Sequence, residues 1–230
     1  MLQSIHHRFG QTLRASDGEI GHVRDFYFDD KNWTVRYLVA DTGRWLAGRL
    51  VLISPHAFGH LYPEGEVLLV NLSRQQIEDS PSIEEHQPVS RQHEEEYHRH
   101  YGFTYYAESL PLWGLGGYPV IVPPPLSDDP KQPAPESHLR SAREICGYSV
   151  EASDGPVGKV ADLTIDGRTW VIRELVVECG HWYSGKKVVV STDKVSRISY
   201  DQSTIYVDST KLAFSEAKEQ MLQVTREGDL

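Results

Sequence analysis

Cysteine is almost absent: Cys146 and Cys179 are the only two in 230 residues, and both fall in the C-terminal half. Two thiols cannot build the disulfide framework of a small secreted domain, nor a zinc site by themselves. They read as small buried side chains in a reducing compartment. Long hydrophobic runs are missing too. None approaches the ~20 apolar residues of a membrane-spanning helix. The longest candidate near the middle, Tyr118-Pro119-Val120-Ile121-Val122, is short and interrupted by proline. Met1-Leu2-Gln3-Ser4-Ile5-His6-His7-Arg8 carries no apolar core of a secretory signal. The chain is expected in the cytoplasm.

A basic excess is also lacking. The net charge is −10, and it is unevenly placed. Residues 2–77 hold 8 basic and 8 acidic side chains, residues 139–230 hold 12 and 14, and residues 78–138 hold 3 and 11. The acidity belongs to the middle of the chain. Neither flank shows the basic footprint of a nucleic-acid binder, so nucleic acid is disfavoured as a partner. There is no phosphate loop, no Gly-x-Ser-x-Gly elbow and no Cys-x-x-Cys pair, which removes the common signatures of phosphoryl, acyl and disulfide chemistry.

What the chain does have is a repeat. Ala15-Ser16-Asp17-Gly18 returns as Ala152-Ser153-Asp154-Gly155, and Trp45 returns as Trp182, both at an offset of 137 residues. In that one register Gly21 matches Gly158, Asp25 matches Asp162, Asp29 matches Asp166, Trp33 matches Trp170, Arg36 matches Arg173 and Gly48 matches Gly185. So many identities without a gap indicate duplication.

Each copy reads as β structure. Asp-Gly turns open it, because glycine accepts positive φ and aspartate can hydrogen-bond the turn backbone. Alternating apolar positions follow in Ile20–Phe28 and Val157–Ile165, then nearly continuous apolar runs in Val35–Ala40 and Ile172–Val177. Short strands in a module under 80 residues are most economically closed into a small barrel. Ser73 and Gln76 form a capping-box pattern for a short helix behind the first copy. The predicted organisation is a first barrel over residues 1–82, a connector over 83–137, a second barrel over 138–215 and a tail or short helix over 216–230. The first barrel is expected to fold by itself, in a fragment ending near Ile83. Within the connector, Ser90 to Tyr101 has a capped helical pattern, followed by an aromatic, then a Pro-rich acidic segment.

The run Ser-Asp-Gly-Glu-Ile-Gly-His-Val-Arg-Asp-Phe-Tyr-Phe-Asp-Asp (16–30), then Trp33 to Thr42, then Trp45-Leu46-Ala47-Gly48-Arg49, resembles the PRC-barrel family. Pro88-Val89-Ser90-Arg91-Gln92-His93-Glu94 with Tyr101-Gly102 is similar to the middle of tandem members. The family includes the cytoplasmic part of the photosynthetic reaction-centre H subunit and the C-terminal domain of the ribosome-maturation factor RimM. The resemblance implies a mainly β protein of two small barrels that dock on other macromolecules. It implies no shared catalytic site and no cofactor. The chain is accordingly expected to be a non-catalytic scaffold or adaptor for protein–protein contact, cytoplasmic or peripheral to the inner membrane. The sequence does not name its protein partner; likeness to the H subunit implies a membrane-associated complex met on its cytoplasmic face, and with it a link to photosynthetic electron transport. A ribosome-associated role and a metal- or small-ligand-binding role are the alternatives.

Within that frame, His93 and His98 are the nearest approach to a metal motif, but a zinc helix needs histidines at i and i+4. Here the second comes one residue late, about 100° further round. The pairs Asp25/Asp162 and Asp29/Asp166 invite an acid–base assignment, yet turn capping and ion pairing with Arg36/Arg173 explain them better. Trp33/Trp170 and Trp45/Trp182 read as barrel closures. Tyr97, Tyr101, Phe103, Tyr105, Tyr106 and Trp113, which have no second-copy counterpart, are the candidates for contact with a partner.

Overall fold

The computed structural model describes residues 1–58, 67–80, 139–180 and 186–216. Among them the chain is mainly β and forms two sheets. The first contains β2 (Thr12–Ala15), β3 (Gly18–Asp29), β4 (Thr34–Asp41), β5 (Leu50–Ile53) and β6 (Val67–Leu69), in the order β5-β4-β3-β2-β6. The second contains β8 (Ser149–Ala152), β9 (Gly155–Asp166), β10 (Ile172–Cys179), β11 (Lys187–Ser191), β12 (Val195–Ser199) and β13 (Thr204–Val207). Its order, β11-β10-β9-β8-β13-β12, repeats the plan of the first. In both, one pairing is parallel, β2 with β6 and β8 with β13, and the other pairs are antiparallel.

The repeated residues explain the repeated bends. The long strands β3 and β9 each serve two neighbours in succession and carry register shifts where they turn, after Val23 and Val160. Gly21 and Gly158 sit where the next strand crosses close by. A Cβ at Gly21 would lie 2.0 Å from the Asp41 carbonyl oxygen, and one at Gly158 would lie 2.1 Å from that of Glu178. No side chain fits there. At the first hairpin Asp17 accepts a bond from the Arg74 N–H at 2.8 Å, and Asp154 does the same for Lys211 N–H at 2.8 Å. The turn aspartate therefore holds the helix that follows its own sheet. The Ser73–Gln76 capping box forms on the first of these helices, Arg74–Glu78.

Two further strands cross between the copies. β1 (Leu2–Ser4) leaves the first copy and pairs with β9, Gln3 opposite Ile165. β7 (Leu139–Ser141), its counterpart at the 137-residue offset, leaves the second copy and pairs with β3, Arg140 opposite Phe28. Each sheet is completed by the other copy's leading strand. The exchange continues at Trp33 and Trp170. Both hold left-handed backbones, φ 55° and 58°, a conformation that costs a bulky residue about 1–3 kcal/mol unless its surroundings hold it. Here the Val35 N–H donates to the Trp170 carbonyl at 2.8 Å and the Ile172 N–H donates to the Trp33 carbonyl at 2.7 Å. The inward side chains of both sheets then merge into one apolar cluster, which includes Phe26, Phe28 and Leu38 with Leu163, Ile165 and Leu175.

This arrangement changes one expectation. A first copy cut off near residue 83 would lose the strand that flanks β3 and would leave β1 without an acceptor, so it has no complete sheet of its own. The cause is the leading strand's exchange, which no repeat boundary reveals.

Candidate functional site

The paired acids sit at the centre of the exchange. Asp25 lies in β3 with 7% of its surface exposed. Its carboxylate accepts from the Phe26 N–H at 2.7 Å, from the Arg143 N–H at 3.0 Å and from the Ser141 hydroxyl at 2.5 Å. Two of these donors belong to the second copy. Asp162 mirrors it, accepting from the Leu163 N–H at 2.7 Å, from the His6 N–H at 3.0 Å and from the Ser4 hydroxyl. Ser4 and Ser141 in turn accept from the N–H groups of His7 and Glu144, at 3.1 and 3.0 Å. Each aspartate and serine together cap a single helical turn, His6–Arg8 or Ala142–Ile145, that follows the exchanged strand. Burial holds the Asp25 carboxyl above its ordinary range, while its three donors and the Arg143 charge pull the other way.

Asp25 and Asp162 therefore do not pair with Arg36 and Arg173. That role falls to Asp29, which lies 3.5 Å from Arg36 and also accepts from the Lys31 N–H at 2.9 Å. Asp166 accepts from the Arg168 N–H at 3.0 Å and lies 3.5 Å from the N-terminal ammonium. Arg173 is exposed and makes no ion pair among the described residues.

The tryptophans divide by place. Trp33 stacks on Phe28 with centroids 5.3 Å apart, within its own copy. Trp170 packs against Phe58 of the other copy at 5.6 Å. Trp45 is partly buried under the Arg74 guanidinium, 4.5 Å above its ring. Gly48, at φ 78°, donates its N–H to the Gly43 carbonyl and closes the turn before β5. Trp182 and Gly185 lie outside the described residues, as do His93, His98, Tyr97, Tyr101, Phe103, Tyr105, Tyr106 and Trp113.

Two features distinguish the copies. The first is a node at the junction: Tyr200 donates its hydroxyl to Asp30, Arg140 Nε lies 3.1 Å from the same carboxylate, and the guanidinium stands 3.7 Å over the Tyr200 ring. Burial and the Asp30 hydrogen bond push the Tyr200 phenol well above its usual range. At the 137-residue offset Asp30 and Arg140 correspond to Gly167 and Gln3, so the node occurs once. The second is the face of the first sheet turned away from the core. There Tyr37, Val39 and Leu52 are each 1% exposed and cluster with Tyr27, Leu50 and Leu139. Their second-copy counterparts are Glu174, Val176, Val189, Thr164, Lys187 and Leu2, and Thr164 donates to Glu174 at 2.9 Å. One outer face is wholly apolar and aromatic at these six positions; the other is polar at three of them, Thr164, Glu174 and Lys187.

Two exchanged sheets built on one repeated frame set the standard for comparison with known proteins. The PRC-barrel domain model matches the chain twice, at residues 9–74 and 138–214. The chain belongs to the PRC-barrel family. None of the curated proteins matches it. The first PRC-barrel match begins after β1 and the second includes β7, so the family match includes only one of the two exchanged strands. Among the described residues of this tandem PRC-barrel protein no helix is long and apolar enough to cross a membrane. No group of three or more histidines, cysteines or acids is placed to hold a metal ion there.

One signal for the serine–aspartate latch does lie in the sequence. Ser4 and Ser141 are themselves an identical pair at the offset of 137. Three-residue strands have no periodicity to read, so the serines gain meaning only from the acids that face them.

Proposed function

We propose that this tandem PRC-barrel protein is a non-catalytic scaffold that presents two fused modules to a protein partner. The observation that supports this reading is the use made of the repeated acids. Asp25 and Asp162, the residues best suited by type to acid–base chemistry, are committed to capping the exchanged segments. The residues shared by the copies serve pairing, and recognition is left to what the copies do not share. Likeness to the reaction-centre H subunit suggests the partner class: a complex met on the cytoplasmic face of a membrane.

Affinity capture with the whole tagged chain from cytoplasmic and membrane fractions tests this. Recovery of a protein in stoichiometric amount from the membrane fraction is the result expected. Co-sedimentation with ribosomal subunits, lost at high salt, would favour an RNA-associated role instead. A stoichiometric metal retained after chelation, or turnover of a small molecule, would overturn the scaffold reading.

A further inference from the structure

Each copy carries both halves of the same joint. The donor half is the leading strand with its serine, Leu2–Ser4 or Leu139–Ser141, and the acceptor half is the β3 or β9 edge with its aspartate. A joint made of one donor and one acceptor on each of two modules is self-complementary, the geometry of a twofold dimer. Within one chain the two modules are joined only through residues 81–138, 58 residues of sequence. Every cross-copy bond described above lies outside that connector and is indifferent to whether the two modules share a chain.

We propose that this exchange surface also takes a second copy of the chain, giving a closed dimer in which the first module of each chain pairs with the second module of the other. Both latches, both tryptophan carbonyl bonds and the merged core are kept in such a dimer, and no new contact is required. The node at Asp30 selects the pairing. Arg140 and Tyr200 meet Asp30 only when a first module faces a second one. Two first modules would present Gln3 to Asp30 in place of Arg140. What favours the closed monomer is tethering, which sets an effective concentration on the order of mM for modules linked in one chain. The balance is then governed by the connector and by chain concentration.

Shortening the connector tests this directly. Ser80 is held beside Arg49 at the start of β5, whereas Leu139 pairs with Asp29 at the far end of β3. The length of β4 separates these points by roughly 20 Å at ~3.3 Å per residue. Three residues left between Ser80 and Leu139 reach at most about 14 Å, so the chain cannot close on itself. Light scattering should then show twice the monomer mass, with far-UV circular dichroism and a cooperative melt like those of the full chain. A folded monomer of the shortened chain would overturn the proposal.

The full-length chain supplies an independent arm. Asp30→Arg alone sets a second guanidinium against that of Arg140, and Arg140→Asp alone sets a second carboxylate against that of Asp30, so each variant has a repulsive joint when closed. Mixed, unfolded and refolded together, the two variants can form a dimer in which both joints are complementary. Differently tagged copies should co-purify after joint refolding at high concentration and should not do so when each is refolded separately before mixing. Absence of the mixed dimer after joint refolding would overturn the proposal even where the shortened chain aggregates.

Discussion

Replacing Asp25 with alanine removes the acceptor that ties the second copy's leading segment to the first sheet. Three donors lose their partner: the N–H groups of Phe26 and Arg143 and the hydroxyl of Ser141. A hydrogen bond to a charged acceptor contributes about 1.5–3 kcal/mol and a helix N-cap about 1 kcal/mol. Ser141 retains its own bond from Glu144 N–H, so part of the cap survives. Against the loss stands the cost of keeping a carboxylate buried, which the variant no longer bears. A net destabilisation of about 2–3 kcal/mol follows. Asp25→Asn should cost less than about 1 kcal/mol, because the amide oxygen keeps the two N–H donors and its NH₂ can donate to the serine. The pH dependence separates charge from shape. With the folded carboxyl raised above its ordinary value of 3.8 by burial, the native state binds the proton more tightly than the unfolded chain. The contribution of Asp25 is thus least favourable above the folded value, and the penalty disappears as pH falls below the unfolded one. The stability of Asp25→Asn relative to the natural protein should therefore improve as pH rises from about 4 toward 7. Urea unfolding at several pH values measures both effects. An Asp25→Ala variant within about 0.5 kcal/mol of the natural protein would refute the latch.

Other consequences are as specific. Gly158→Ala, where a Cβ would meet the Glu178 carbonyl at 2.1 Å, should lose about 3 kcal/mol or more, read as a fall in Tm. Gly180→Ala, whose nearest backbone neighbour would stand at 3.8 Å, should stay within about 1 kcal/mol. A fragment of residues 1–80 should fold only as a pair, so its circular dichroism melt should shift with concentration; a concentration-independent melt with a monomer mass would contradict the exchange. Burial together with the charges of Asp162 and Asp25 pushes the Cys146 thiol up to about 12. Iodoacetamide at pH 8 should accordingly label it at least roughly a hundredfold more slowly than a free thiol. A rate like that of free cysteine would show the site to be open. Tyr200→Phe should cost about 1 kcal/mol, since the Asp30 bond goes while the guanidinium stays over the ring.

The repeated frame is readable because each of its signals is local. An Asp-Gly turn, an alternating strand and a glycine under a crossing strand all declare themselves within a few residues. The duplication raises the signal by stating everything twice. The exchange is not readable for the opposite reason. The Ser141 hydroxyl and the Asp25 carboxylate are 116 residues apart, and Ser4 and Asp162 are 158 apart. A repeat aligned to itself places Ser4 with Asp25 and Ser141 with Asp162 in equal standing, so it cannot tell pairing within a copy from pairing between copies. Asp29 and Arg36 sit across a short turn, where a sequence reading reaches them; Asp25 does not. Phe58 against Trp170 is likewise invisible, because the two rings come from different copies and different parts of the repeat.

Duplication followed by fusion also accounts for where the copies have diverged. In a pair of identical modules, any change is made twice and must suit both joints. Once the modules share a chain, each joint can change alone, and the Asp30–Arg140–Tyr200 node is such a change, present on one side only. The same freedom applies to the outer faces. Tyr27, Tyr37, Val39 and Leu52 of the first sheet stand where Thr164, Glu174, Val176 and Val189 stand in the second. Tyr27, Tyr37, Val39 and Leu52 form a cluster separate from the merged core. Tyr37, Val39 and Leu52 are each 1% exposed on one module, where the other module carries Glu174, Val176 and Val189, so the two outer faces are not interchangeable.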